Sequence, residues 1–241
     1  MNQEGSDRQG KDLSPPHASK RDIAHGLLKA GFSAIPLAGG PAAELFAMLI
    51  TPPLERRREE WMEDIGEALT LLMGHDLVDL GRLQEDDEFL DTVLQASQVA
   101  LRNHQEEKRA ALRGAIMNTA IGQSPGEALR LMFIGFIDYF TEWHLRVLFL
   151  FDEPRETLAS LGQGVPNLYM GDLEDVLEHA YPELRNSRTI CDRIWSDLYQ
   201  RGLVNTDGLH TTMTGDGVLQ SRTTDLGKRF LAFIQEPALD S

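Results

Sequence analysis

Four arginines sit where a helix and the turn beyond it would present them to a partner: Arg188, Arg193, Arg201 and Arg222. Guanidinium groups spaced along a helix contact phosphates and base edges when that helix enters a DNA groove. The same stretch carries Asp192, Asp197, Asp216 and Asp225, and residues 172–241 hold seven basic against twelve acidic side chains. DNA-reading modules are usually basic on that face, so this balance disfavours nucleic acid and favours a protein partner or self-association. The whole chain of 241 residues repeats the pattern, with a formal net charge of -15.

Catalytic chemistry is harder to find. Gly122-Gln123-Ser124-Pro125-Gly126 matches the letters of a nucleophile elbow. That elbow needs a preceding strand, and residues 110–120 read as helix. It also needs the backbone N–H of the residue after serine, and Pro125 has none. Ser124 is better read as a helix cap. No Walker loop, dinucleotide fingerprint, His-Glu-x-x-His or EF-hand pattern occurs, and no histidine follows a glutamate by three. The one cysteine, Cys191, precludes an intrachain disulfide and a cysteine-based zinc site. The acidic run Glu85-Asp86-Asp87-Glu88 reads as a solvated helix start rather than a cation site. Trp143 and His144 lie in an apolar segment and read as core residues. The expectation is no catalytic residue, no metal and no cofactor.

One segment raises a membrane question. Phe32 to Ile50 contains a single charge, Glu44, and Arg56-Arg57-Arg58 follows it. Its apolar residues include Phe32, Ile35, Leu37, Leu45, Phe46, Leu49 and Ile50. The length suffices to cross a bilayer, but Pro36 and Gly39-Gly40-Pro41 break it into pieces too short to span singly. A buried helical hairpin is the expectation, and a hairpin that inserts into membrane is the alternative.

The elements that must position these residues are mostly helical. Residues 1–18 are polar and rich in Gly and Pro, and read as a disordered tail. Ser19 opens a helix carrying Ile23, Leu27, Leu28 and Phe32. Pro41 opens a second, expected to stop near Thr51-Pro52-Pro53. A third, from Pro53 to Met73, sets Arg56, Glu60 and Glu63 on a wet face and Trp61, Ile65, Leu69 and Leu72 on a core face. Residues 85–121 form either one kinked helix or two, with Asn103 and Glu106 as a second cap. Ser124-Pro125-Gly126-Glu127 opens the next.

From Phe140 the pattern shifts. Thr141 caps a helix through Leu150, and breakers follow from Leu161 to Pro166. Asp172 caps a short helix, and Ser187 caps a longer one with Ile190, Ile194 and Leu198 on one face, ending near Gly202. Two strand-like pieces, 209–213 and 218–223, flank Gly215-Asp216-Gly217 and read as a hairpin. Thr224 caps a closing helix with Phe230, Leu231 and Phe233. The fold expected is mostly α: an all-α domain over 19–139, a winged-helix-like domain over 140–236, and a tail over 237–241. The N-terminus lacks a signal peptide's basic region and apolar core, so a cytoplasmic location is expected.

The segments Ala34-Ile35-Pro36-Leu37-Ala38-Gly39-Gly40-Pro41, His104-Gln105-Glu106-Glu107-Lys108, Phe140-Thr141-Glu142-Trp143-His144-Leu145 and Thr223-Thr224-Asp225-Leu226-Gly227-Lys228-Arg229-Phe230-Leu231 complete the picture. A chain of apolar helices ending in a winged-helix-like module resembles bacterial proteins grouped as abortive infection alpha. That resemblance implies a role in phage defence. The function expected is a non-enzymatic bacterial regulatory or protein-interaction protein. The alternatives are a winged-helix transcriptional regulator and a membrane-acting effector using residues 32–50.

Overall fold

The computed structural model describes residues 41–239, with side chains from Met48 onward. The expected tail over 1–18, the helix from Ser19 and the turn before Pro41 lie outside the described residues. Mostly helical architecture is what the structure has. The first helix, α1, runs Pro41–Gly74 without a break at Pro52-Pro53, against the expectation of two helices. The two prolines remove the N–H bonds to the carbonyls one turn back, at Met48 and Leu49. Both residues are well exposed, at 75% and 65%, so water can serve the freed carbonyls and the helix continues at a local cost. Ile50 is exposed too; the buried-core reading therefore does not hold for Leu49 and Ile50.

Farther along α1 the expected faces are in place. Trp61, Ile65 and Leu72 are buried and Leu69 packs beside them. The Trp61 indole N–H donates to Ser97 Oγ at 2.9 Å, so a large ring is buried without an orphaned donor. Leu80–Gln84 forms a short α2 that periodicity alone did not reveal. Helices α3 (Asp87–Arg102) and α4 (Glu106–Ala120) are separate. Asp86 caps α3 by accepting the Phe89 N–H at 3.0 Å. Asn103 does not cap α4; its amide turns back to the Val99 carbonyl at 2.8 Å, closing α3 instead. Helix α5 spans Glu127–Tyr139 with Gly126 as its cap at φ +90°. Ser124 lies short of it, its hydroxyl buried and without a partner, so the expected serine cap is not made. Gly126 takes the cap position because its backbone adopts a positive φ that serine would resist.

The remaining elements are α6 (Glu142–Asp152), α7 (Pro154–Ser160), β1 (Met170–Gly171), α8 (Leu173–Ala180), a 3-10 turn at Pro182–Leu184, α9 (Arg188–Gln200), β2 (Met213–Thr214), α10 (Gly215–Val218) and α11 (Asp225–Ile234). Asp172 caps α8 and Thr224 caps α11 with side-chain bonds of 3.1 and 3.0 Å. Ser187 stands at the start of α9 but makes no side-chain cap. Ile194 and Leu198 of α9 are buried, whereas Ile190 is exposed.

The expected hairpin between 209–213 and 218–223 is not formed. Thr214 Oγ1 accepts the Gly217 N–H at 3.1 Å, which starts α10 where a tight turn was expected. β2 pairs instead with β1, antiparallel, Met170 opposite Thr214 and Gly171 opposite Met213. Gly215 lies so close to the Leu168 carbonyl that any side chain would overlap it. A separate antiparallel contact joins 203–205 to 222–224: Asn205 N–H donates to Arg222 O at 2.8 Å and Thr224 N–H to Leu203 O at 3.0 Å.

Helices on both sides of residue 140 share one apolar core, from Trp61 and Phe89 through Leu112, Phe133 and Phe140 to Leu148, Trp195 and Phe230. The centre of that arrangement is α4. A helix that ends inside a protein leaves carbonyls in need of donors, and α4 supplies them twice. Lys108 Nζ, only 3% exposed, donates to the Asp138 carbonyl at 2.9 Å near the end of α5. Asn118 Nδ2 reaches the carbonyls of Ala232, Phe233 and Gln235 at 3.2, 2.9 and 2.7 Å, at the end of α11. Gly114 makes that seat possible, since a Cβ there would overlap the Ile234 carbonyl. Beyond α11, Leu239 packs on Leu72 and Met117.

Asn118→Ala strips buried carbonyls of their donor, and we expect a loss of about 1–3 kcal/mol in urea unfolding. Gly114→Ala should destabilise as well by forcing α11 off α4.

Candidate functional site

Helix α9 carries two of the arginines read as partner-facing, Arg188 and Arg193, with Arg201 as its C-terminal cap. Its burial follows its spacing: Cys191, Ile194, Trp195 and Leu198 face the core, and Trp195 Nε1 donates to the Thr206 carbonyl at 2.9 Å. Asp197 also faces inward, with its side chain only 5% exposed. An ionised carboxylate at that depth needs partners.

Its partners are the arginines. Arg193 Nη2 lies 3.1 Å from Asp197 Oδ1, and Arg201 Nη1 lies 3.7 Å from the same oxygen. Arg201 also donates to the Asp197 backbone carbonyl at 3.2 Å. Tyr139 OH donates to Asp197 Oδ2 at 3.4 Å. The Arg201 guanidinium stacks 4.0 Å from the Tyr139 ring centre and 5.4 Å from that of Phe140, a cation–π contact that keeps the group against the protein. The Tyr139 hydroxyl first, and Asp197 next, hold the exposed Arg193 guanidinium above its ordinary range.

The structure thus brings Arg193 and Arg201 together, but around a carboxylate. Arg188 stands apart, exposed, with Nε 3.9 Å from Asp192 Oδ2 one turn on. Arg222 folds inward: its Nη2 donates to the Gly217 carbonyl at 2.5 Å and touches Met213 Sδ at 3.0 Å. These four residues do not form one cationic patch.

His144 closes the network from α6. The Thr141 N–H donates to His144 Nδ1 at 3.1 Å, a capping arrangement in which histidine takes the role usual for glutamate or glutamine. With Nδ1 an acceptor, the ring proton belongs on Nε2, which points at Asp197 Oδ2 from 3.5 Å. The imidazole stacks on Phe140 at 4.8 Å between centroids, the planes 9° apart. Burial lowers the His144 pKa below the ordinary histidine value, and Asp197 only partly counteracts it. His144 is therefore a buried residue, as expected, with Nε2 near Asp197 but without a hydrogen bond to it.

On the opposite side of α9 the structure assembles a second group that spacing did not suggest. His210, from the segment before β2, lies between Glu174 of α8 and Asp192 of α9: Nδ1 is 3.2 Å from Glu174 Oε2 and Nε2 is 2.6 Å from Asp192 Oδ1. Asp172 joins them, its carboxylate within 4.8 Å of the Glu174 and His210 ligand atoms. The nearest trace in the sequence is the acidic cap Asp172-Leu173-Glu174. The distance of 36 residues to His210 carries no local signal.

Other reactive groups are inert by placement. Burial, and after it Glu174, Glu178 and Asp192, raise the Cys191 thiol above its ordinary pKa, the reverse of an activated nucleophile. Ser124 follows helix α4, not a strand, so the elbow geometry is absent there. Glu85-Asp86-Asp87-Glu88 opens α3 at the surface, where Glu88 Oε1 meets the buried Arg130 guanidinium at 2.9 Å. Among the described residues no helix is long and apolar enough to cross a membrane. Phe32, Ile35 and Leu37 lie outside the described residues, as do the side chains of Leu45 and Phe46.

Comparison of the chain with protein-family models, with curated proteins and with solved structures yields no match.

The His144 arrangement has a pH consequence. The unfolded chain binds a proton on this ring from about pH 6.5 downward, while the folded chain does so only at lower pH. The stability due to the neutral ring is complete above about pH 6.5 and is lost as pH falls through the depressed folded value. His144→Gln keeps an acceptor for the Thr141 N–H and removes the titration. Urea midpoints measured at about pH 7.5 and about pH 5.5 should differ less for this variant than for the wild type.

Proposed function

We propose that this chain is a non-enzymatic regulatory or interaction protein that works through protein contacts made by residues 140–236. The observation that carries the reading is that each of the four arginines faces an acceptor within the chain and that the four do not form one cationic patch. Arg193 and Arg201 converge on the buried Asp197. Arg188 faces Asp192, and Arg222 turns to the Gly217 carbonyl. A DNA reader must leave such cations free to displace counterions from phosphate.

A winged-helix-like module is part of the proposal. The order α6, α7, β1, α8, α9, followed by a loop that holds β2 and α10 and whose base is closed by the 203–205 and 222–224 bonds, and then by α11, supports it. In this reading α9 is the contact helix. Its outward side chains are Arg188, Thr189, Ile190, Asp192, Arg193, Tyr199 and Gln200, a mixed set of two cations, one anion, one aliphatic and one aromatic. Tyrosine and arginine within a mixed polar rim suit protein contacts. The setting, a bacterial phage-defence or stress response, rests on the resemblance of the sequence to the abortive infection alpha group.

Two measurements test this. Titrated with a random DNA duplex at low salt, the purified chain should show no salt-dependent binding. Expressed in its host with an affinity tag, it should retain a specific protein that Tyr199→Ala and Gln200→Glu release while the melting temperature stays unchanged. Duplex binding that weakens with salt and with Arg188→Ala would replace this reading with that of a transcriptional regulator.

A further inference from the structure

Beyond any protein partner, the group around His210 has the composition and geometry of a metal site. A carboxylate–imidazole pair normally leaves one ring nitrogen to water or to a neutral neighbour. Here both nitrogens face carboxylates, from two different helices: Asp192 on Nε2 at 2.6 Å and Glu174 on Nδ1 at 3.2 Å. When the Nε2 proton is given to Asp192, the Nδ1 lone pair points at Glu174, with the Asp172 carboxylate also within 4.8 Å. In that tautomer one ring nitrogen and two carboxylates lie within 4.8 Å of one another, a donor set whose mutual repulsion a cation between them would relieve.

The arrangement matches the way metal-binding histidines are held. The ring nitrogen not used for the metal donates to a carboxylate, which fixes the tautomer and the plane. Asp192 stands in that position. Zinc-type bonds to nitrogen and oxygen are about 2.0–2.2 Å, which sets the edge of a ligand tetrahedron at about 3.4 Å. The 3.2 Å between His210 Nδ1 and Glu174 Oε2 is already close to that edge. Asp172 commits Oδ1 to the Asp175 N–H at 3.1 Å and, as a carboxylate, has a second oxygen.

The framework is built before any ion arrives. The Leu173 N–H donates to the Leu209 carbonyl at 2.9 Å, which fastens the residue before His210 to the start of α8. Asp175 accepts the Asp172 N–H at 3.0 Å and steadies the cap. The three groups are partly buried, Glu174 and His210 at 20% and 28% exposure, so the site is open to an ion but not fully wet.

We infer that Asp172, Glu174 and His210 bind one divalent transition-metal ion, with Asp192 as the positioning residue for the imidazole. One nitrogen and two oxygens suit borderline ions such as zinc, cobalt or manganese, and a three-residue set leaves room for water. The ion would tie α8 to the segment leading into β2 and, through Asp192, to α9.

The test is calorimetric titration of the full chain with Zn2+, paired with Co2+ titration followed in the visible spectrum. The expected result is one ion per chain, with a melting temperature that rises with metal concentration. His210→Gln and Glu174→Gln should abolish that binding. Asp192→Asn should weaken it about 10–100-fold while preserving the stoichiometry and changing the Co2+ spectrum. Failure of the wild type to bind stoichiometrically would overturn the inference and leave His210 as a structural bridge between Glu174 and Asp192. Binding that survives Glu174→Gln would overturn it too. Circular dichroism of each variant separates loss of ligand from loss of fold.

Discussion

A carboxylate held inside a protein must be answered by charge or hydrogen bonds, and Asp197 is where this chain meets that demand. It sits on the buried side of α9, and its surroundings are drawn from three elements. Tyr139 comes from the end of α5, His144 from α6, and Arg193 and Arg201 from α9 and its C-terminal cap. Arg201 extends the network by lying over Tyr139 and Phe140. The apolar face of α9 supplies the bulk of its docking through Ile194, Trp195 and Leu198. Asp197 adds to that docking through Tyr139 of α5, whose hydroxyl donates to its Oδ2 at 3.4 Å.

The same interaction shapes what the surface offers. Arg193 and Arg201 both reach the inward acid, Arg201 largely covered and Arg193 still exposed beside Arg188 and Asp192. The other flank of α9 is used differently. Asp192 takes one nitrogen of His210 and leaves the second facing two carboxylates. One helix therefore borders a closed charge network on one side and an open one on the other.

Local chemistry was the most legible part of this fold. Asp86, Thr141, Asp172 and Thr224 all stand at helix starts, since each cap depends only on residues three positions away. The apolar stripes of α1 and α11 were readable for the same reason. Failures came where a distant element decided the outcome. Gly215-Asp216-Gly217 has hairpin letters, but Thr214 caps it as a helix and β1, over 40 residues earlier, takes the strand before it. Pro52-Pro53 reads as a stop, yet exposure lets α1 run through it. The arginines of α9 were visible as a pattern, whereas Asp197 read as one more outward acid until its burial was seen. His210 gave no sign at all, because its partners lie 18 and 36 residues away.

The most direct test of this account is a double-mutant cycle between Asp197 and Arg201, read by urea unfolding of Asp197→Asn, Arg201→Ala and the double variant. If Asp197 is held by its arginines, Asp197→Asn is strongly destabilising and the two changes are coupled by about 1 kcal/mol or more. Free energies that add to within about 0.3–0.5 kcal/mol would contradict it, and would return Arg201 to the surface as a charge available to a partner.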